Sequence, residues 1–284
     1  EEGGVSILRD GQVTAVPVTS PVSDALVTGP GEIVVDPFHV EQVGDLWTVR
    51  PDGTIDLLYR GQGGLHLLAL LSIPGFGAGR WLAFTETCPF WYGPTWASAS
   101  HGCTCVLVLL NLETGARLEL PADTGEGGYT GIVSLGDHVV MSASAEGMFW
   151  FEAKDAIGEE VTIPHNPAPH DADIYPRELV GLAGIPGTGL WAFAASDDYT
   201  GAVEDYLVIY NPSTGREAAR SPVPGSAEDE VMVWQVDADA ATVAVTTVRW
   251  NVGADRFDYT AHLFDLEAGT WTSFEVPGLV RLVR

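Results

Sequence analysis

Short apolar runs alternate with turn-forming residues along this chain, at a spacing that suits strands and not helices. The stretch Val106–Pro121, VLVLLNLETGARLELP, sets the pattern. Consecutive apolar residues from Val106 to Leu110 project to both sides of a strand, so both faces need cover, as in a sheet stacked between others. Asn111-Leu112-Glu113-Thr114-Gly115 supplies a turn, with Gly115 able to take a positive φ, and Arg117–Leu120 reads as the return strand of a hairpin. The same object recurs at Leu46–Tyr59, Leu207–Pro224 and His262–Pro277, and in looser form at Met148–Pro164.

Around these hairpins, four-stranded units can be laid out over Ala25–Tyr59, Leu65–Leu120, Tyr129–Ile163, Leu179–Ser221 and Val231–Val276. Their last hairpins are closed by Gly53, Gly115, Gly158, Gly215 and Gly269. A period of roughly 40–60 residues with four strands in each predicts an all-β chain folded as a β-propeller, one domain over residues 1–284. No sustained 3.6-residue periodicity supports a helical solenoid, and a two-sheet sandwich would be overfilled by so many strands. Val5–Val18, with its Asp10-Gly11 turn, resembles the second half of a unit, and Gly278–Arg284 resembles a first strand. The expectation is six blades, the last closed by both termini; the alternative is five.

The Asp/Asn-x-x-Thr-Gly hairpin resembles repeats of quinoprotein-like propellers, and Phe264–Trp271 is similar to a kelch repeat. The resemblance spans nearly the whole chain and implies the fold. It carries no family activity, because the Trp-Asp pairs, regular Gly-Gly pairs and tryptophan ring of the specific families are missing.

Composition narrows the partners. Against 39 Asp plus Glu stand 13 Lys plus Arg, a formal net charge of -26. Such a field repels phosphate backbones and anionic lipid surfaces, so nucleic acid is not an expected partner. The longest apolar run, Leu65–Ile73, is about half the ~20 residues needed to span a bilayer, so no membrane insertion by this segment is expected. The chain starts at Glu1 without Met, which fits removal of an export signal and equally a cut made elsewhere.

Long connections between second and third strands, and between units, are expected on one rim, where a rigid scaffold presents binding loops. They include Pro37–Gly44, Cys88–Gly102, Ser196–Asp205 and Trp250–Asp258. The richest carries Trp91, Tyr92, Trp96 and His101, with aromatic rings suited to stacking on a sugar or filling a protein pocket, or to packing back on the blades. Cys88 falls nearly opposite Cys103, so a disulfide can tie the base of this loop; free thiols, or a zinc site with His101 and Cys105, are the other readings. His170, Asp171, Asp173 and Tyr175 form a second group, and Asp197, Asp198 and Tyr199 a third. Their carboxylates and imidazoles suit cation binding or acid–base work, or simply a hydrated acidic rim.

No nucleophile elbow, phosphate-binding loop, dinucleotide fingerprint or zinc-protease helix is present in the sequence. The expected function is therefore that of a non-enzymatic, extracellular or cell-surface propeller, binding a protein or glycan on its loop-rich rim without a resident cofactor. The alternative is a hydrolase or lyase acting on carbohydrate or a lactone through rim carboxylates, with calcium as a compatible ion.

Overall fold

The structure, a computed structural model, describes residues 6–9, 12–15, 22–29, 32–37, 44–61, 65–73, 79–86, 106–121, 129–135, 138–143, 147–152, 179–196, 205–227, 231–254 and 256–282. All regular structure among them is antiparallel β-sheet in a β-propeller arrangement. The chain divides into two compact units, one of residues 1–70 and 81–123, the other of residues 71–80 and 124–284.

The first unit opens with a hairpin of β1 (Ser6–Arg9) and β2 (Gln12–Ala15), which pair only with each other among the described residues. Its first blade is β3 (Val22–Gly29), β4 (Glu32–Pro37), β5 (Asp45–Val49) and β6 (Ile55–Arg60), hydrogen-bonded in that order. The second is β7 (Leu65–Ser72), β8 (Arg80–Glu86), β9 (Val106–Asn111) and β10 (Arg117–Pro121). Leu26, Val34 and Leu46 of the first blade pack on Leu67, Leu82 and Phe84 of the second in one buried layer. Val108 and Leu110 of β9 lie in the same layer, which covers one face of its unbroken apolar run.

The second unit holds a three-stranded sheet of β11 (Tyr129–Leu135), β12 (His138–Ala143) and β13 (Gly147–Glu152). Two complete blades follow. One is β14 (Leu179–Ile185), β15 (Leu190–Ser196), β16 (Asp205–Asn211) and β17 (Arg216–Pro222). The other is β18 (Val231–Ala238), β19 (Thr242–Asn251), β20 (Arg256–Asp265) and β21 (Thr270–Val276).

Two expectations on blade number are corrected. Four four-stranded blades are present among the described residues, where six, or alternatively five, were expected. The third unit yields three strands, and its expected fourth, residues 160–163, lies outside the described residues. Among the described residues the C-terminal segment joins no sheet, and two of its N–H groups go to side chains: Val280 donates to Thr246 Oγ1 at 3.4 Å and Leu282 to Asp237 Oδ2 at 2.8 Å.

The hairpin turns follow the sequence reading closely. Asn111 Oδ1 accepts from the N–H groups of Glu113 and Thr114 at 3.0 and 2.9 Å, and Asp265 Oδ1 accepts from Glu267 and Ala268 at 2.9 and 2.8 Å. In both, the chain closes on a glycine in the left-handed region, Gly115 at φ 70° and Gly269 at φ 66°.

The first strands of the sheets carry a feature the sequence does not announce. β3, β11, β14 and β18 each show a shift in pairing register near their start, between Val22 and Asp24, Tyr129 and Gly131, Val180 and Ala183, and Val233 and Gln235. Such bulges bend a strand and re-aim the residues that follow. In the second unit the bulged strands also approach very closely. A Cβ placed on Gly131 would lie 2.1 Å from the backbone nitrogen of Leu182, and one on Gly181 would lie 2.8 Å from Val236 Cβ.

Between the last two blades a line of polar contacts runs outward from buried Thr247 and His262. His262 contacts Thr247 Oγ1 through Nε2 at 2.9 Å and Ser273 Oγ through Nδ1 at 2.8 Å, while Trp271 Nε1 donates to Ser221 Oγ of the neighbouring blade at 2.9 Å. Burial holds the His262 pKa below its ordinary value, because the charged imidazolium would lose its hydration there.

Two predictions follow from this packing. Gly131→Ala should lower the unfolding free energy by about 3 kcal/mol in denaturant titration. Gly184→Ala, whose Cβ would meet only Val133 Cγ1 at 3.8 Å, should change it by less than about 1 kcal/mol. For His262, the unfolded chain takes up a proton before the folded one does. The residue should therefore leave stability unaffected well above pH 6.5, its ordinary pKa, and cost stability as pH falls below it. Denaturation midpoints at pH 7.5 and about 5.5 should differ less for His262→Gln than for the parent protein.

Candidate functional site

Within the first unit, the bulge at the start of β3 is followed at once by Asp24, which stands directly across from Asp36 on β4. Each is only 5% exposed. Residues paired in this way share a sheet face with Cβ atoms about 5 Å apart, so two carboxyl groups are held beside one another. Asp24 Oδ1 accepts the N–H of Ala25 at 2.8 Å, and Oδ2 lies 4.0 Å from Nδ1 of His66 on β7. Two facing acids with an imidazole alongside can give and take protons. No group of three or more His, Cys, Asp or Glu side chains able to hold a metal ion converges among the described residues.

A second polar group in this unit joins its two blades. Tyr59 of β6 donates from its hydroxyl to Glu86 Oε2 of β8 at 2.7 Å, and its ring stacks edge-on against Phe84 at 4.9 Å. Arg117 of β10 brings its guanidinium to 4.9 Å from the Tyr59 ring and 3.6 Å from Glu86 Oε2. Burial, then the Glu86 carboxylate, push the Tyr59 pKa far above its ordinary value, so the hydroxyl remains a donor. This group pins blade to blade and uses its polar atoms on itself. Glu86 ends β8 where the chain enters residues 87–105.

The second unit presents a different surface. β19 and β20 each run for 10 residues, against 7 in β15 and β16, so their hairpin extends further than its counterpart. Near the hairpin end Trp250 stands across from Phe257, with ring centroids 4.9 Å apart in an edge-to-face contact, and Trp234 of β18 lies 6.1 Å from Phe257. Trp250 is 38% exposed, Met232 49% and Val252 74%. The turn beneath them is fixed by polar contacts. Asn251 Oδ1 accepts from Ala254 N–H at 3.1 Å, Asn251 Nδ2 donates to Asp258 Oδ2 at 2.7 Å, and Arg256 Nε donates to Asp258 Oδ1 at 3.2 Å. The result is a partly exposed aromatic cluster on a braced support, whose rings have little conformational freedom left to lose.

The expectation that Trp250–Asp258 forms a loop is thereby corrected. Most of it is paired strand, since Trp250↔Phe257 and Arg249↔Asp258 continue the ladder and leave a short turn at Val252–Ala254. Trp234, Trp250 and Phe257 were not singled out from sequence. The signal was present in the alternation Thr246, Val248, Trp250 on one strand and Phe257, Tyr259, Ala261 on the other.

Trp91, Tyr92, Trp96, His101, His170, Asp171, Asp173, Tyr175, Asp197, Asp198 and Tyr199 lie outside the described residues, as do Cys88 and Cys103 with their proposed disulfide. The buried acids Asp24 and Asp36 were missed because alternation alone cannot tell which polar position of a strand faces inward.

No family model matches the chain, and no curated protein matches it in sequence. Among solved structures, Kuenenia stuttgartiensis hydrazine synthase is similar at 11% identity and TM-score 0.49, over 87% of this chain and 63% of that one. The chain thus spans less than two thirds of that protein's length. A computationally designed protein, Ika8, is similar at 12% identity and TM-score 0.47, covering 98% of this chain and 82% of its own. Staphylococcus aureus virginiamycin B lyase is similar at 12% identity and TM-score 0.44, covering 89% and 86%. Among the described residues no helix is long and apolar enough to cross a membrane.

Proposed function

We propose that the chain is a non-enzymatic binding propeller of the cell exterior, taking a protein or glycan on the ends of its blades. The observation that carries this reading is the exposed Trp250 ring set edge-to-face on half-buried Phe257 at the braced hairpin, with Trp234 6.1 Å from Phe257 and exposed Met232 on the adjacent strand β18. Trp250, Met232 and Val252, all exposed on one blade, offer apolar area that a partner can cover. Aromatic side chains suit that role because they bring large contact areas with few rotatable bonds. The net charge of -26 works against nucleic acid as the ligand and leaves neutral glycans and basic or neutral protein surfaces. Trp91, Tyr92 and Trp96 would add to the same kind of surface.

The test is a screen of the purified protein against immobilised glycans and cell-surface proteins, repeated with Trp250→Ala/Phe257→Ala. A specific ligand should be found, and the double variant should lose at least about ten-fold in affinity while its Tm falls by no more than about 4 °C. Unchanged binding, or a Tm loss well beyond that, would show that the rings serve the fold instead. Trp91→Ala/Trp96→Ala in the same screen measures what the 88–103 segment adds.

A second reading, acid–base hydrolysis or elimination on a carbohydrate or lactone, is favoured by the Asp24, Asp36 and His66 group alone. If it holds, a panel of chromogenic glycosides and lactones should include a turned-over substrate. Asp24→Asn and Asp36→Asn should each then lower kcat by about 100-fold or more. Loss of that turnover in chelator would bring in calcium, and an inert panel removes the reading.

A further inference from the structure

The last blade has two faces, and its first strand meets something different on each. Val236 of β18 points toward β14, where Gly181 makes room for it. Alternation therefore turns Gln235 and Asp237 to the opposite face, together with Thr246, the partner of Gln235 on β19. All three are buried polar side chains.

What lies over them is the segment Val280–Leu282, held by two backbone N–H groups and the guanidinium between them. The N–H of Val280 goes to Thr246 Oγ1 at 3.4 Å and that of Leu282 to Asp237 Oδ2 at 2.8 Å. Between them the guanidinium of Arg281 reaches Gln235. A guanidinium has only donors, so Gln235 presents its amide oxygen, which accepts from Nη1 at 2.7 Å, from Nη2 at 3.2 Å and from Nε. Asp237 is braced for this by its other oxygen, which accepts the N–H of Ala238 at 2.9 Å.

Alternate N–H groups directed to one surface mean that the segment is extended, and the order of contacts makes it run in the same sense as β18. No backbone-to-backbone bond in the described structure fixes it there. The blade reads it through side chains: two N–H groups at alternate positions and one guanidinium between them. That is how a groove recognises a peptide: the main chain is read at alternate positions and one side chain is read by its head group.

We propose that this face of β18 and β19 is a binding slot for an extended peptide with arginine at its centre, filled in cis by residues 280–282. The inference goes beyond the proposed function and does not depend on what covers the hairpin of Trp250. A trans ligand is a basic, apolar-flanked peptide, which the strongly acidic chain also favours at long range. The tail competes because its tether holds it near the slot at an effective concentration on the order of millimolar. A free peptide should therefore bind the parent protein poorly and bind better once the tail's own grip is weakened.

The experiment uses the full chain and a fluorescent synthetic peptide of residues 277–284. Arg281→Ala in the protein should tighten peptide binding by at least about ten-fold in anisotropy titration, and Arg281→Ala in the peptide should weaken it by a similar factor. Gln235→Leu in the Arg281→Ala protein should abolish that discrimination between the two peptides. In the parent protein, amide exchange at Val280 and Leu282 should be at least about ten-fold slower than in the free peptide. Equal peptide affinity for parent and Arg281→Ala proteins, indifference to the arginine in the peptide, or exchange at free-peptide rates would each overturn the proposal. The exchange measurement needs no variant, so it decides even where a substitution harms folding.

Discussion

In the larger unit, β14 approaches β11 at Gly131 and β18 approaches β14 at Gly181 so closely that a methyl group does not fit in either gap. That contact is short-range and steric, and much else follows from it. First strands pressed together set the spacing at which Ala192, Val236, Val245 and their neighbours can fill the layer between the two complete blades. The bulges in these strands accommodate the bend, and each one resets which residues point inward afterwards. The two polar clusters with chemistry in them both begin just past such a bulge: Asp24 in one unit, Gln235 and Asp237 in the other. Close packing and polar placement are thus set by the same local device.

Electrostatics is organised around scarcity. With 13 basic residues in the chain, arginines are used where they do more than one thing. Arg117 lies over the Tyr59 ring and also pairs with Glu119 at 2.5 Å. Arg220 lies 5.0 Å from the Tyr206 ring and pairs with Glu217 at 3.0 Å. A planar guanidinium can meet a ring with its face and a carboxylate with its edge, which an ammonium cannot. Not all of the acid is left to solvent, since Asp24, Asp36 and Asp237 are buried.

How much of this was legible follows from the range of each interaction. The hairpin turns were, since Asn111 and Asp265 bind N–H groups two and three residues on and Gly115 and Gly269 take the positive φ that closes them. The strands of β9, β16 and β20 were, since their apolar patterns are local. The bulges were not, because a bulge answers to the strand pressing on it from another sheet. The expectation that Gly278–Arg284 supplies the first strand of a closing blade was not met: among the described residues the segment joins no sheet, and Val280–Leu282 meet the side chains of Thr246, Gln235 and Asp237. Trp250–Asp258 was expected as a long connection, and only the pairing of Trp250 with Phe257 shows how far the ladder continues.

The way Val280 and Leu282 are held has an evolutionary corollary. At those two positions the blade recognises a main-chain hydrogen and nothing of the residue's identity, so many amino acids would serve and proline alone, lacking that hydrogen, is barred. Drift in the terminal segment should accordingly be free in composition at both, while the arginine between them, recognised by its own head group, is held to its chemistry.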